Sequence, residues 1–420
     1  MSFPTAARSS ARIRGSLALL VAIVATTGRA EAVVVRVEAS PGALESALRA
    51  AHAGDILELG PGTFTGPFVI EEALTLRGRG GVIDGGGQGT VLRIAAAGAR
   101  VEGITIRDSG SDIGAPDACV YVEAAATGAV LQGNTLEDCA FGIWVHETDG
   151  VQVVSNRVRG RVGVRQPDRG NGIHLFNASN LTVRDNTVVQ VRDGIYVGAT
   201  ENSLIEANHA DDVRMGIHYM YSYHNTIRSN VMTRNVIGIA LMESRNLVVE
   251  ANEASDNDRQ GLLFRDVEDS RIVGNRLERN GIGMFFFSSV DNVILDNVVI
   301  GNEMGLKIWA GTMGNRVEGN VIRGNREQVF YVGAEDQVWG DAGRGNHWGD
   351  YVGWDQDGDG IGDRPHRVDS FVAGLLYRHP SAVLLLRSPA LESLSHLADG
   401  MPLLRTPTIV DLAPLLGEGD

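Results

Sequence analysis

Asparagine recurs at a nearly constant interval through the middle of the chain. The spacing is 22 or 23 residues with one interval of 30, at Asn134, Asn156, Asn186, Asn208, Asn230, Asn252, Asn275, Asn297 and Asn320. A glycine keeps the same period, at Gly142, Gly172, Gly194, Gly216, Gly238, Gly261, Gly283 and Gly305. A unit this short cannot bury its own apolar face, so successive units must stack on one another. The sequence therefore predicts a solenoid.

Each repeat contains short alternating apolar runs and almost no helical periodicity, as in residues 225–232 and 238–241. Runs of two to five residues separated by Asn, Asp or Gly indicate short strands joined by sharp turns. Three such strands per repeat predict an all-β, right-handed parallel β-helix of roughly 10–11 coils. A leucine-rich repeat is excluded because its Leu-x-x-Leu-x-Leu frame is missing. Buried asparagines are expected to hydrogen-bond from coil to coil.

The chain divides into three predicted parts. Residues 1–32 have the order of a secretory signal peptide, with basic residues, a short apolar run and Ala30-Glu31-Ala32; a retained membrane anchor is the alternative. Residues 33–340 form the β-helix, capped by a helix over 41–51 with Ser40 as its N-cap. Residues 341–420 form a small irregular region with an apolar tail, and an eight-residue insertion within 160–171 predicts a protruding loop.

The charge and the cysteines limit the classes of partner and the covalent links. A formal charge of −15 without a basic stripe argues against nucleic-acid binding. The two cysteines are Cys119 and Cys139, and coil alignment stacks Cys119 on Phe141. Ideal stacking therefore predicts α-carbons beyond disulfide range, although a bend in the chain would permit the bond.

The strand after each periodic glycine carries an unusual outward face. Its first and third positions are apolar and are predicted to be core, so the second and fourth point outward. These outward positions, here called the outer stripe, are Trp144, His146, His174, Phe176, Tyr196, Gly198, His218, Met220, Ala240, Met242, Leu263, Arg265, Phe285, Phe287, Lys307 and Trp309. Exposed apolar surface of this extent predicts a docking face. The alternative is that a loop or the C-terminal segment folds over it.

Within the outer stripe, soft ligands come together. Met220 and Met242 are 22 residues apart and so are predicted to stack, with His218 beside Met220. Thioether and imidazole ligands suit Cu(I), and the carboxylates needed for Mg²⁺ or Mn²⁺ are missing. The copper or partner-contact candidates are His174, His218, Met220, Met242, Met215 and His224; the docking candidates are Trp144, Phe176, Tyr196, Phe285, Phe287 and Trp309.

An acidic loop near the C-terminus follows the frame of a calcium site. Asp355, Asp357, Asp359 and Asp363 occupy loop positions 1, 3, 5 and 9, a glycine stands at position 6, and the Ile361 carbonyl falls at position 7. The sequence predicts a structural Ca²⁺ in residues 355–363. A tight acidic turn is the alternative, because position 12 is a histidine where a calcium loop has glutamate.

Four segments resemble one protein family. They are residues 214–221 (Arg-Met-Gly-Ile-His-Tyr-Met-Tyr), residues 238–242, residues 346–351 (Asn-His-Trp-Gly-Asp-Tyr) continuing through Asp363-Arg364-Pro365, and Ser388-Pro389-Ala390. From about residue 35 to its end the chain resembles the NosD family of periplasmic proteins that mature nitrous oxide reductase. His347 and His366 depart from the family pattern, where tyrosine is expected.

The resemblance implies a non-enzymatic, periplasmic role in building the copper centres of nitrous oxide reductase. The implied partners are an ABC-type membrane subunit with its cytoplasmic ATPase, a copper chaperone lipoprotein and the reductase itself. The chain has no phosphate-binding Gly-x-x-x-x-Gly-Lys-Ser/Thr loop, so ATP hydrolysis would belong to a partner. Two other functions fit a β-helix: a lyase or epimerase acting on acidic polysaccharide, and a surface adhesin.

Overall fold

The computed structural model describes residues 32–309, 311–333, 335–368, 375, 379–385, 388–400 and 408–416. Apart from its last residue, the predicted signal peptide 1–32 lies outside the described residues. The described residues belong to one compact unit that begins at Ala32. Over these ranges, no helix is both long enough and apolar enough to cross a membrane.

Three parallel sheets form the walls of a β-solenoid, and each complete coil contributes one strand to each sheet. Sheet 1 contains Val34–Val37, Ile56–Leu59, Thr75–Gly78, Arg100–Glu102, Val130–Gln132, Gln152–Val154, Thr182–Arg184, Leu204–Glu206, Thr226–Arg228, Val248–Glu250, Arg271–Val273, Val293–Leu295 and Arg316–Glu318. Sheet 2 contains Phe68–Ile70, Leu92–Ile94, Ala118–Val122, Phe141–His146, Ile173–Phe176, Asp193–Gly198, Met215–Met220, Ile237–Arg245, Gln260–Glu268, Ile282–Phe287, Met304–Ile308 and Glu327–Tyr331. Sheet 3 contains Gly62–Thr65, Gly81–Asp84, Thr105–Arg107, Thr135–Cys139, Arg157–Gly160, Thr187–Val189, His209–Asp211, Val231–Thr233, Glu253–Ser255, Arg276–Glu278, Val298–Ile300, Val321–Arg323 and His347–Trp348.

The predicted parallel β-helix is confirmed, and it is longer than expected. Sheets 1 and 3 have 13 strands each, against the roughly 10–11 coils expected from the repeat. The additional coils precede Asn134, where the spacing is irregular: Leu57 pairs with Leu76, Leu76 with Val101, and Val101 with Leu131. These early coils lack the periodic asparagine, so the sequence repeat does not reveal them.

The periodic asparagines form a buried hydrogen-bond ladder. The backbone N–H and the Nδ2 of Asn230 both donate to Oδ1 of Asn252, at 3.0 and 2.9 Å. Its Nδ2 also donates to the Ile205 carbonyl, and its Oδ1 accepts the same pair of bonds from Asn208. Every polar atom of this fully buried side chain is therefore satisfied. The same pattern links Asn134 through to Asn346.

A second asparagine ladder lies at another corner of the coil, and the sequence reasoning missed it. Backbone N–H groups donate to the next side-chain oxygen along Asn235, Asn257, Asn280, Asn302 and Asn325. These five residues are buried and keep nearly the same spacing as the first series. The spacing was visible in the sequence, but the series begins late and is short.

The interior is one continuous apolar core. Inward residues of sheet 2 stack in register, for example Ile217 on Ile239 and Tyr219 on Leu241, and all four are 0% exposed. This confirms the predicted alternation, in which the first and third positions after each periodic glycine face inward. The periodic glycine itself is required in the strand: a Cβ on Gly216 would lie 2.6 Å from the backbone carbonyl oxygen of Gly238.

The N-terminal end is covered by a helix, Ala43–Ala50, whose Leu44 is buried in the core. The predicted helix is present, but the predicted N-cap residue, Ser40, was wrong. The N-cap is Gly42, in a left-handed conformation with φ 71°, and no side chain caps the helix. Ser40 instead accepts a bond from the N–H of Ala43 through its carbonyl, so a turn precedes the helix.

The C-terminal end is closed by a small sheet in which Ile409–Asp411 pairs with Gln337–Trp339 and His366–Val368. Asp411 is fully buried and ends the first ladder: its Oδ2 accepts the N–H and Nδ2 of Asn346. This part of the apolar tail therefore lies at the end of the solenoid. The region is more regular than predicted, with a 3₁₀ helix Pro380–Leu385 and an α-helix Pro389–Gly400; a 3₁₀ turn, Gln166–Asp168, lies in the predicted insertion.

Cys119 and Cys139 form a disulfide with α-carbons 5.5 Å apart, so the distance expected from ideal stacking was wrong. The pairing register places Ala118, not Cys119, opposite Phe141. Cys139 ends its strand just after Asp138, whose φ of 55° turns the chain at a corner. Because of this turn, the cysteine separation does not follow strand geometry.

Replacing Asn230 with alanine should lower the free energy of unfolding by about 2–3 kcal/mol, because buried partners in both neighbouring coils lose their bonds. Urea denaturation measures the change. Thr226→Ala, at an outward position of the same coil, is the control and should change stability by less than about 0.5 kcal/mol. Equal effects of the two substitutions would contradict the ladder's role.

Candidate functional site

The outer stripe is assembled by the register of sheet 2. Trp144 pairs with His174, which pairs with Tyr196, and Tyr196 pairs with His218. The neighbouring column pairs Met220 directly with Met242. The predicted stacking of the two methionines is therefore confirmed, and His218 lies two residues from Met220 on the same strand and the same face.

The N-terminal half of the stripe is a chain of rings in contact, tilted between Trp144 and His174, stacked between His174 and Tyr196 and edge-on between Tyr196 and His218. Ring centroids lie 4.2 Å apart between Trp144 and His174, 4.7 Å between His174 and Tyr196, and 5.2 Å between Tyr196 and His218. Because neighbours cover one another, these four side chains are only partly exposed, and that of His218 is 12% exposed. Among the six docking candidates only Phe176 is classed as exposed, at 39%. The stripe faces outward as predicted but presents less apolar area than the sequence suggested.

The C-terminal half of the stripe divides into two clusters. Ala240 and Leu263 are buried against their neighbours, with Met215, Met242 and Phe285 partly buried around them. Further along, the only lysine of the chain, Lys307, lies with its Nζ 5.0 Å from the ring centroids of both Phe285 and Trp309. Burial lowers the pKa of Lys307.

The six copper candidates are not equally placed. Met220, Met242 and His218 share one patch, and Met215 packs at its edge. His174 lies two coils away along the column, with Tyr196 between it and His218. His224 is exposed and follows a turn that begins at Tyr221, with φ 52°. It therefore lies off the outer stripe.

A buried carboxylate that the sequence reasoning missed holds His218. Asp193 is fully buried, and its Oδ2 lies 3.1 Å from Nδ1 of His218. Arg214 donates to the same carboxylate through Nε at 2.7 Å and through an Nη at 2.6 Å. Burial alone would raise the pKa of Asp193, but the bonds from His218 and Arg214 outweigh it and hold that pKa below its usual range.

The neighbour of His174 at Nδ1 is an amide from the same coil. Nδ2 of Asn171 lies 2.9 Å from Nδ1 of His174, and Arg192 donates to Oδ1 of Asn171 at 3.3 Å. Burial, with the nearby charges of Arg192 and His146, lowers the pKa of His174 to about 3. His174 is therefore a neutral imidazole at neutral pH.

The acidic loop is folded around Asp355. Its carboxylate accepts backbone N–H bonds from Gly358, Asp359 and Gly360, at 2.6, 3.2 and 2.9 Å. Oxygens of Asp355, Asp357 and Asp359 all lie within 4.8 Å of one another, and the charge of Asp359 raises the pKa of Asp357. Asp363 accepts from the N–H of Gln356 instead, so three of the four predicted carboxylates converge.

The neutral burial of His174 should make stability depend on pH. Its pKa falls from 6.5 in the unfolded chain to about 3, so in this window the unfolded chain binds a proton that the folded protein does not. Stability is fully present above pH 6.5 and is lost as the pH falls towards 3. Denaturation midpoints at about pH 7 and about pH 5 should differ less in His174→Phe than in the wild type. Equal differences would contradict the burial of a neutral ring.

Comparison with known proteins identifies the family. A family model described as "Periplasmic copper-binding protein (NosD)" matches residues 154–353, and a right-handed β-helix model matches residues 79–209. A protein of Pseudomonas aeruginosa named "Probable ABC transporter binding protein NosD" is 38% identical over 373 residues, which cover 85% of this chain and 87% of that protein. Its namesake in Stutzerimonas stutzeri is 37% identical over 371 residues, covering 84% of this chain and 85% of that protein.

Among solved structures, PfbA, a surface adhesin of Streptococcus pneumoniae, aligns with a TM-score of 0.57 at 12% identity, covering 70% of this chain and 88% of that one. At this identity the likeness shows the fold alone. The two relatives match most of the chain, including the strands that carry the outer stripe. The chain belongs to the NosD family of periplasmic copper-binding proteins.

Proposed function

We propose that this protein is a non-enzymatic maturation factor that holds Cu(I) transiently while the copper centres of nitrous oxide reductase are assembled. The observation that carries the proposal is the direct register of Met220 on Met242, with His218 two residues from Met220 on the same face. Adjacent parallel strands lie about 4.8 Å apart, so both thioethers and the imidazole can reach one ion. The copper is cargo rather than a resident cofactor.

The donor set fits copper(I) better than other biological cations. Thioether sulfur is a soft ligand that selects Cu(I), and a neutral imidazole is compatible with it. The carboxylate that contacts His218, Asp193, is fully buried and already bound by Arg214 and His218. Hard cations that need several oxygen ligands therefore find no site in this patch among the described residues.

The partners follow from family membership and from what the chain lacks. Both relatives are named as ABC transporter binding proteins. The sequence contains no phosphate-binding loop, so an ABC-type membrane subunit and a cytoplasmic ATPase would supply ATP hydrolysis. A copper chaperone lipoprotein would deliver Cu(I) on the periplasmic side, where the signal peptide would direct this chain, and nitrous oxide reductase would receive it. The outer stripe is the proposed docking face.

A lyase or epimerase acting on acidic polysaccharide is the alternative, and one observation favours it. Asp193 and Arg214 meet His218 at the edge of the outer stripe, and a cluster of Asp, Arg and His can abstract a proton beside a carboxylate. Two features oppose this function. The Asp193 carboxylate is 0% exposed. The guanidinium of Arg214 is paired with that carboxylate and is therefore not available to bind a uronate.

The double variant Met220→Ala with Met242→Ala should bind Cu(I) at least about tenfold more weakly, because both soft donors are removed. Competition with a coloured Cu(I) chelator measures the affinity of the purified protein. Met313→Ala is the control, since Met313 is 61% exposed and lies outside the stripe. In cells, copper content of the reductase should fall with the double variant only.

Wild-type affinity and wild-type reductase copper in the double variant would refute the proposed function. The folding of the double variant is checked by its urea denaturation midpoint, so that a loss of Cu(I) affinity caused by unfolding is recognised. Formation of unsaturated or epimerised uronate from alginate or polygalacturonate, abolished by His218→Gln, would favour the enzyme instead.

We also propose that loop 355–363 binds a structural Ca²⁺ through Asp355, Asp357, Asp359 and the Ile361 carbonyl, with Asp363 bracing the loop. The convergence of three carboxylates within 4.8 Å supports this. The loop is tied to the end of the chain, because Gly362 donates to the Pro414 carbonyl and Leu416 donates to the Gly360 carbonyl. Calcium would therefore stabilise the closed C-terminal end.

Removing Ca²⁺ with a chelator should lower the free energy of unfolding by about 2–3 kcal/mol, as expected for a ligand present at about a hundred times its Kd. Differential scanning calorimetry with and without the chelator measures the change. Asp355→Asn with Asp357→Asn should abolish the response, whereas Asp341→Asn, an exposed carboxylate outside the loop, should keep it. If the chelator does not change the stability of the wild-type protein, the loop does not bind Ca²⁺ and is only a tight acidic turn.

A further inference from the structure

Two histidines of the outer stripe are held by different kinds of side chain at equivalent positions. Asn171 and Asp193 each precede a periodic glycine and stack in adjacent coils, because the Gly172 N–H donates to the Asp193 carbonyl. Asn171 contacts His174, and Asp193 contacts His218, in both cases through Nδ1 of the ring. Asn171 thus presents an amide to the histidine of its own coil, and Asp193 presents a carboxylate to the histidine of the next coil.

We propose that Asp193 and Arg214 are positioning residues that fix His218 in the tautomer with an open Nε2, and that Asn171 and Arg192 fix His174 in the opposite tautomer. His218, and not His174, is then the imidazole that meets the cargo. The assignment of the cargo as Cu(I) rests on the proposed function. The assignment of the two ring states rests on hydrogen bonding alone.

The state of His218 follows from the chemistry of a carboxylate. An ionised carboxylate only accepts hydrogen bonds, so Nδ1 of His218 must carry the proton that it shares with Asp193 at 3.1 Å. A neutral ring protonated at Nδ1 leaves the lone pair of Nε2 free. No hydrogen bond joins Nε2 to any residue in the ranges that the structure describes. A histidine nitrogen that binds a metal is commonly oriented in this way by a carboxylate on the other nitrogen.

The state of His174 follows from the orientation of Asn171. An arginine can only donate, so the atom of Asn171 that faces Nε of Arg192 at 3.3 Å must be the amide oxygen. The NH₂ group therefore faces His174 and donates to Nδ1. Because Nδ1 accepts this bond it carries no proton, so the ring proton lies on Nε2. To bind a metal through either nitrogen, His174 would have to lose this bond or exchange its proton.

The surroundings reinforce the difference. Asp193 is 0% exposed, so water cannot replace it as the partner of His218, and Arg214 holds both of its oxygens. His174 lies between the rings of Trp144 and Tyr196, at 4.2 and 4.7 Å, which fix its plane. Both rings are thus held in place, but only His218 presents an unprotonated nitrogen near the methionine pair.

Nitrogen-15 NMR of the metal-free protein at about pH 8 reports each tautomer directly. We expect Nδ1–H for His218 and Nε2–H for His174, with signals assigned by His218→Gln and His174→Gln. In Asp193→Asn, the negative charge that holds the proton on Nδ1 of His218 is lost, and one amide cannot accept from both donors of Arg214. Part of the His218 proton signal should therefore move from Nδ1 to Nε2. In Asn171→Asp, the His174 proton should move to Nδ1.

The same variants test the consequence for the cargo. Asp193→Asn should weaken Cu(I) binding by about 10–100-fold. Asp211→Asn removes a carboxylate that pairs with Arg234 at 2.8 Å on another face of the solenoid, and it should leave the affinity at the wild-type value.

An Nε2–H signal for His218 in the wild type would overturn the inference, as would unchanged tautomer and affinity in Asp193→Asn. If Asp193→Asn does not fold, the Asn171→Asp variant tests the inference instead. A His174 proton that stays on Nε2 in Asn171→Asp would show that the residue before the periodic glycine does not set the tautomer. If the wild-type protein shows the expected tautomers but does not bind Cu(I), the proposed function is refuted and the assignment of the two ring states stands.

Discussion

The rest of the structure depends on the bonding of one coil to the next by buried asparagines. Each Asn uses its side-chain oxygen for two donors of the preceding coil and its NH₂ for two acceptors, so the ladder is fully satisfied within the core. A satisfied polar network specifies one register, since a slip of one residue would leave buried donors unpaired. The ladder also needs an end, and the carboxylate of Asp411 supplies acceptors for the last rung.

A fixed register has a consequence on the outside of the solenoid. Once the inward residues of sheet 2 are aligned, the outward residues are aligned as well, and chemically similar groups stack at the spacing of adjacent strands. The ring column and the pair formed by Met220 and Met242 both arise in this way. The scaffold therefore positions soft ligands on rigid backbone, without a loop that must be ordered first.

The columns of the solenoid could be predicted from the sequence because residues one repeat period apart occupy the same position in adjacent coils. The pairing of Met220 with Met242 and the inward alternation follow from a period of 22. Contacts between columns could not be counted. Asp193 reaches His218 across 25 residues, a separation that matches no multiple of the period, because the two side chains converge from neighbouring columns of adjacent coils. The α-carbon distance between Cys119 and Cys139 could not be predicted for a similar reason, since their bond crosses a corner.

The contacts within columns build the scaffold, and the contacts between columns orient the side chains of the proposed site. Along the column before the periodic glycine, Asn171 and Asp193 are followed by Met215 and Ile237, so the polar support of the rings ends where the apolar patch begins. On the proposed function, Cu(I) would lie at this boundary, with an imidazole oriented from the polar side and thioethers supplied from the apolar side. Three donors on one face leave the opposite side of the ion open to a ligand from a partner. An ion held in this way can pass from one protein to the next without ever being released into water.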